Sequence, residues 1–363
     1  GLIRQRDVAV FSSNYALYGD MSARVMATLG RFSPALEVYS IDEAFLDLAG
    51  LARSPTKVAQ ELRATVRRWT GIPVSVGIGP TKTLAKLANR LAKTDPALGG
   101  VLDLCGRPDL DAWLGQVETE DVWGIGRRHA AMLARHGVRT ALDFSRLGRE
   151  FVKRRMAVTG LHTLLELRGT PCIDLAHAPA PRKSIVSSRS FGHPVTSGED
   201  MREAMAWHVA RAAEKLRGGG WQASHLQVFV QTNTFRAGEP QYAASDTAVL
   251  AAPTAHTPDL LRAGTGLLDR LFKPGYRYKK VGVMLFGLER AETGQLQLLG
   301  PAPKDAARRE ALMGVLDAVN AKWGRETLRP AATGLVRPWR MRQERRSPRY
   351  TTAWRELPLV AAG

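Results

Sequence analysis

The spacing of apolar and polar residues changes several times along the chain, and each change marks an element. Between residues 35 and 104, strand and helix patterns alternate. Residues 35–39 read as a strand and 43–48 as its partner. Residues 56–69 carry Val58, Leu62 and Val66 four apart, the spacing of one helix face. A run rich in Val and Ile at 73–78 predicts a strand, Thr81 opens a second helix over 81–93, and 100–104 closes the unit as a strand. This alternation predicts helices packed on one sheet. From 107 to about 170 the pattern is helical and short, around the glycine turn Gly124-Ile125-Gly126. A stretch rich in Ala, Pro and His at 174–181 reads as a linker.

A second alternation follows. Residues 183–191 read as a strand, and 199–217 as a helix with the stripe Met201, Ala204, Met205, Val209, Ala212 and Leu216. Strands at 224–232 and 245–250, a helix at 257–272 and a strand at 280–288 complete a β-α-β-β-α-β unit, ferredoxin-like, with both helices on one face. The fold class is therefore α/β (α+β). Beyond 290 no sheet pattern appears. Residues 304–322 read as one amphipathic helix, and 337–349 hold six arginines, one acidic residue and one tryptophan.

Charge changes this picture. Lys and Arg number 52 against 34 Asp and Glu, a net charge of +18. A proteome that prefers Arg to Lys explains the choice of cation but not the surplus, which calls for an anionic partner, nucleic acid by default. No run of 18 or more apolar residues exists, and the basic start lacks an apolar core, so neither a membrane span nor a signal peptide is expected. Cys105 and Cys172 form no Cys-x-x-Cys pair and no Cys/His cluster. They imply no zinc site, fit a reducing cytoplasm, and read as two buried structural thiols.

The richest stretch is Tyr39-Ser40-Ile41-Asp42-Glu43-Ala44-Phe45-Leu46-Asp47. An acidic dipeptide alone means little, since Glu120-Asp121 and Glu199-Asp200 also occur. Asp42 and Glu43, however, sit at a tight connection between two apolar strands. Like charges so close need a neutralising cation, and hard oxygen donors suit Mg²⁺. A solvated hairpin turn is the alternative reading.

This stretch resembles the palm motif of Y-family translesion DNA polymerases of the UmuC type. The resemblance implies that Asp42 and Glu43 help to hold two Mg²⁺ ions, which activate the primer 3′-hydroxyl and stabilise the leaving pyrophosphate. Asp47 reads as structural at least as readily as catalytic. Residues 77–88 resemble the family's next palm strand and helix. Ala92-Lys93, ahead of Gly99-Gly100, resembles the place where a lysine reaches the nucleotide triphosphate, and a solvated helix-end lysine is the alternative for Lys93. Residues 11–25 resemble the end of the fingers in the UmuC branch. The family's first strand, with its own metal-binding aspartate, lies before that segment, so an incomplete metal site is expected within these 363 residues.

On this resemblance the chain divides into 1–34 (end of fingers and palm helix), 35–106 (palm), 107–173 (thumb), 174–182 (linker), 183–290 (little finger) and 291–363 (clamp-binding peptide and UmuC-type tail). Gly124, Gly126, Arg127 and Arg128 read as a helix-hairpin-helix turn that lets backbone N–H groups approach a phosphate. Lys183, Arg189, Lys279 and Lys280, at strand ends, are candidates for phosphate contacts held by charge rather than base readout. Gln295, Leu296, Leu298 and Leu299 resemble a sliding-clamp peptide, with Leu299 where an aromatic is usual. Residues 345–358 resemble the UmuC-specific tail, whose Arg and aromatic residues suit nucleic acid or a UmuD′-like accessory protein; RecA is a further partner implied by the family.

The expected function is error-prone translesion synthesis in the bacterial SOS response, on damaged primer-template DNA with dNTP, in the cytoplasm. The alternative is a catalytically incomplete DNA- and clamp-binding fragment. A ferredoxin-like RNA-binding protein is disfavoured, because Phe229 is the lone aromatic in 224–232.

Overall fold

The first elements form because their apolar positions find partners nearby. In the computed structural model, which describes residues 5–176, 181–291 and 306–360, Asn14 caps helix α1 (Tyr15–Leu29), its side chain accepting from the Leu17 N–H at 3.3 Å. Strand β1 (Leu36–Val38) pairs antiparallel with β2 (Ala44–Leu46). Helix α2 (Pro55–Thr70) begins on proline and ends at Gly71 in the left-handed region, φ 75°. Its Leu62 and Val66 pack with Val25 and Leu29 of α1.

Strand β3 (Val76–Ile78) pairs parallel with β4 (Val101–Asp103) through the crossover helix α3 (Lys82–Thr94). The strands expected in one sheet thus form two separate two-stranded ribbons. Periodicity identifies a strand but not its partner. With three paired residues apiece, pairing follows what each ribbon packs against. At Gly77, on β3, a Cβ would overlap the Asn89 N and Ala85 O backbone atoms of α3, so only glycine allows this approach.

Helices α4 (Leu110–Gly115), α5 (Arg127–Arg135), α6 (Ala141–Ser145) and α7 (Arg149–Leu167) follow. Leu84 and Leu91 of α3 share one core with Leu133, Phe144 and Leu164. Helix α7 is longer than the sequence pattern implied and is broken at Ala157, φ 56° and ψ −161°.

The second alternation forms one four-stranded antiparallel sheet. Strand β5 (Ser184–Val195), helix α8 (Gly198–Gly218), strands β6 (Trp221–Thr232) and β7 (Ala243–Thr254), helix α9 (Thr257–Leu271) and strand β8 (Tyr278–Arg290) give the order β5-β8-β6-β7. Each strand–helix–strand unit is split by a third strand. Ile185, Leu226, Val228, Val281 and Leu285 join Met201, Val209, Leu260 and Leu268 of the two helices in a single core. Helix α10 (Ala306–Trp323) comes next. Two compact units result: residues 13–180 with 346–363, and 181–345 with 1–12. Among the described residues, no helix is long and apolar enough to cross a membrane.

The cysteines correct one expectation. Cys105 is exposed and Cys172 half-buried, because each lies in a connection just past an element rather than in a core. Local desolvation and the Asp103 charge push the Cys105 thiol up to about 11.

Candidate active site

Asp42 and Glu43 lie on the connection between β1 and β2. The N–H groups of Tyr39 and Ser40 both donate to the Glu43 carbonyl at 3.0 Å and close that connection. Ser40 Oγ donates to Asp42 Oδ1 at 2.5 Å and accepts from the Asp42 N–H at 3.3 Å, which holds the Asp42 carboxylate in place. Asp42 is exposed and Glu43 half-buried. The repulsion of adjacent carboxylates is met by a cation: Lys86 Nζ donates to both Glu43 oxygens, at 2.9 and 3.0 Å. The same ammonium lies 4.7 Å from the Tyr39 ring centre and 5.4 Å from that of Trp123. Trp123 Nε1 donates to the Tyr39 hydroxyl at 3.0 Å, so the aromatic wall is itself fixed.

One turn earlier on α3, Lys82 makes a buried counterpart. Its Nζ donates to Glu37 Oε2 at 2.5 Å and to the Asp174 carbonyl at 2.7 Å. The two side chains are only 7% and 14% exposed. Burial works against charge on Glu37, but hydrogen bonds from Lys82 and the Ala176 N–H prevail and hold its carboxyl below the ordinary carboxylate value.

The N-terminus of α3 is anchored as firmly. Thr81 accepts from the Leu84 N–H at 3.2 Å. The fully buried Glu166 accepts from the N–H groups of Thr83, Cys172 and Ile173 at 2.9, 2.8 and 3.2 Å. A carboxylate at a helix N-terminus also meets the positive end of the helix dipole. This anchoring sets the height of Lys82 and Lys86 against the β1–β2 ribbon.

Lys93 is exposed near the end of α3 and has no hydrogen bond or ion pair among the described residues. It stands seven residues beyond Lys86 and therefore on the same helix face, two turns along. Sequence reasoning chose Lys93 and passed over Glu37, Lys82 and Lys86. The available signal was the four-residue spacing of Lys82 and Lys86. Asp47 accepts from the Ala49 N–H at 2.8 Å and so shapes a turn.

Gly124 has φ 91°, and a Cβ on it would come within 2.7 Å of Thr163 Oγ1. Val122 and Ile125 are buried beneath the turn, while Gly126, Arg127 and Arg128 are exposed at the start of α5. The four strand-end cations do not share one face. Lys280 stands opposite Ser190 and Gln231, in the register facing away from the helices. Arg189 stands opposite Val281, in the helix-facing register. Lys279 donates to the Phe191 carbonyl at 3.1 Å, and Lys183 is exposed just before β5. Gln295, Leu296, Leu298 and Leu299 lie outside the described residues. No group of three or more His, Cys, Asp and Glu side chains placed to hold a metal ion occurs among the described residues.

The architecture is that of a Y-family DNA polymerase. The structure aligns with a Y-family DNA polymerase chimera of Dbh and Dpo4 at a TM-score of 0.63 and 18% identity, over 78% of this chain and 80% of that one. Residues 2–90 match the impB/mucB/samB family and 182–298 the impB/mucB/samB family C-terminal domain. Residues 310–360 match a domain of unknown function (DUF4113). Protein UmuC of Salmonella typhimurium is 43% identical over 98% of this chain and 84% of its own length. Protein SamB of the same organism is 41% identical over 97% of this chain and 83% of its own length. The chain belongs to the impB/mucB/samB family, the UmuC-type translesion DNA polymerases.

Proposed function

We propose that Asp42 and Glu43 are the metal-holding carboxylates with which this chain extends primers past damaged template bases. One observation carries the reading: two adjacent carboxylates on a solvent-open ribbon connection, faced by the lysine stripe of α3. The donor set is oxygen only, which fits Mg²⁺, an ion usually held by one or two carboxylates together with substrate phosphates. When bound, the ions would activate the primer 3′-hydroxyl and offset charge on the pyrophosphate. The chain's own groups orient and balance. Ser40 fixes Asp42, Lys86 offsets the charge of Glu43, and Lys93 offers a cation to the triphosphate.

The remaining assignments are proposals of the same kind. Residues 35–106 serve as palm, 107–173 as thumb and 183–290 as little finger. The Gly124–Arg128 turn holds duplex phosphates, with Lys183, Arg189, Lys279 and Lys280 adding charge. Gln295, Leu296, Leu298 and Leu299 dock on the sliding clamp, a UmuD′-like protein and RecA act as partners, and the protein works in the bacterial cytoplasm.

The test is primer extension with Mg²⁺ on undamaged and abasic templates, with DNA affinity measured in parallel. The protein carrying the family's first strand is expected to extend both templates and the 363 residues alone to extend poorly, while Asp42→Asn and Glu43→Gln in the former keep DNA binding and lose extension. Tight DNA binding without extension by the protein carrying that strand would favour the non-catalytic reading.

A further inference from the structure

A small surface pocket opens on the outer side of α8, between Trp207 and the segment that follows α10. Its two walls belong to different family segments: Trp207 to the impB/mucB/samB C-terminal domain, and Leu316 through Arg337 to the domain of unknown function. The joint between them is built rather than incidental. Trp339 is 5% exposed, with its ring 6.2 Å from those of both Phe191 and Trp207. Its carbonyl accepts from the Gly192 N–H at 3.2 Å on the edge strand β5. Arg217 forks onto Asp317 at 2.6 and 2.8 Å.

The charges lining the pocket do not balance. Arg211 pairs with Glu214. Glu326 accepts from Trp207 Nε1 at 2.5 Å and from Arg337 Nη1 at 2.7 Å. Both acidic residues of the lining are therefore in use. Arg329, half-buried in the wall, has no hydrogen bond or ion pair among the described residues. Arg337, whose side chain is 5% exposed, keeps a buried Nη2 with no hydrogen-bond partner. Donors on a charged group are costly to leave buried and unmet. The missing partner is an anionic oxygen acceptor that fits against an apolar wall of Leu316, Leu328 and Pro330.

We propose that this pocket takes a carboxylate side chain from an acidic, aliphatic peptide segment of a partner protein. A DNA phosphate would offer similar oxygens, so the peptide is tested with DNA already bound; the pocket lies beyond α8, on the side of the sheet opposite Lys280. Its rim also favours a peptide: Leu328 is 45% exposed, and Leu335 and Val336, between the lining residues Thr333 and Arg337, are 86% and 79% exposed. Exposed apolar side chains gathered beside a recessed charge favour a protein partner over a bare phosphate.

The experiment titrates fluorescein-labelled Glu-Leu-Glu-Leu-Glu-Leu against the protein held in saturating duplex DNA, reading anisotropy. The peptide is expected to bind, and its Gln-Leu counterpart to bind about tenfold more weakly or worse. Arg329→Ala and Arg329→Gln should each weaken binding by about tenfold at an unchanged melting temperature, while Arg325→Ala, outside the pocket, stays within about twofold. Absence of binding, equal affinity of the Arg329 variants and wild type, or displacement of the peptide by additional DNA would each overturn the proposal.

Discussion

Two lysines one turn apart on α3 each hold a glutamate, and the two pairs do different work. Lys82 and Glu37 are almost closed to solvent, and backbone at Asp174 and Ala176 adds one further hydrogen bond to each. Lys86 and Glu43 are 21% and 40% exposed, beside a second carboxylate, Asp42, that has no ion pair among the described residues. The first pair ties a helix to a ribbon, and removing one partner strands a buried charge. The second balances charge where water and ions can exchange. Burial, not residue type, separates the structural pair from the exchangeable one.

The largest expected effect tests the exchangeable side. Asp42→Asn or Glu43→Gln should lower primer extension by about a thousandfold or more, since each removes a charge that metal-assisted transfer needs. Near-wild-type rates in both variants would move the active site away from the ribbon. Next comes the buried pair. Lys82→Ala should destabilise the unit by about 3 kcal/mol, read as a denaturant midpoint shift at constant slope. A loss similar to that of an exposed pair would erase the contrast.

Acid sharpens it further. The Glu37 carboxyl titrates below its ordinary value in the folded chain, so the stability from its pair is full above that ordinary value. It is lost as pH falls through the folded value. The stability gap between wild type and Glu37→Gln should therefore hold above the ordinary carboxylate value and narrow as the pH falls below it. A gap independent of pH would mean that Glu37 does not act as a charge. The smallest effect is on Lys86→Ala, which should cost less than about 1 kcal/mol in stability. A loss as large as that of Lys82→Ala would place both pairs in the scaffold.

Much of the fold was legible locally. The β-α-β-β-α-β succession appeared because each core-facing position repeats at the period of its element. The β7 strand shows where that reading falls short: 245–250 was expected, but it runs Ala243–Thr254. Its outward positions at an unpaired sheet edge include Ser245, Thr247 and Val249, which blur the alternation. Of the candidate site, the expectations at Asp42, Glu43 and Lys93 rest on motif and spacing. Lys86 against Glu43 was not, because it joins residues 43 apart in sequence.

By itself, then, the sequence determined the elements, the carboxylate pair and the basic surplus, since period, motif and charge are properties of short stretches. Only the tertiary structure decided the split into two ribbons, the buried Lys82–Glu37 pair and the arginine pocket on α8. Each of those depends on which distant residues exclude water from one another, and the spacing of residues along the chain does not contain that information.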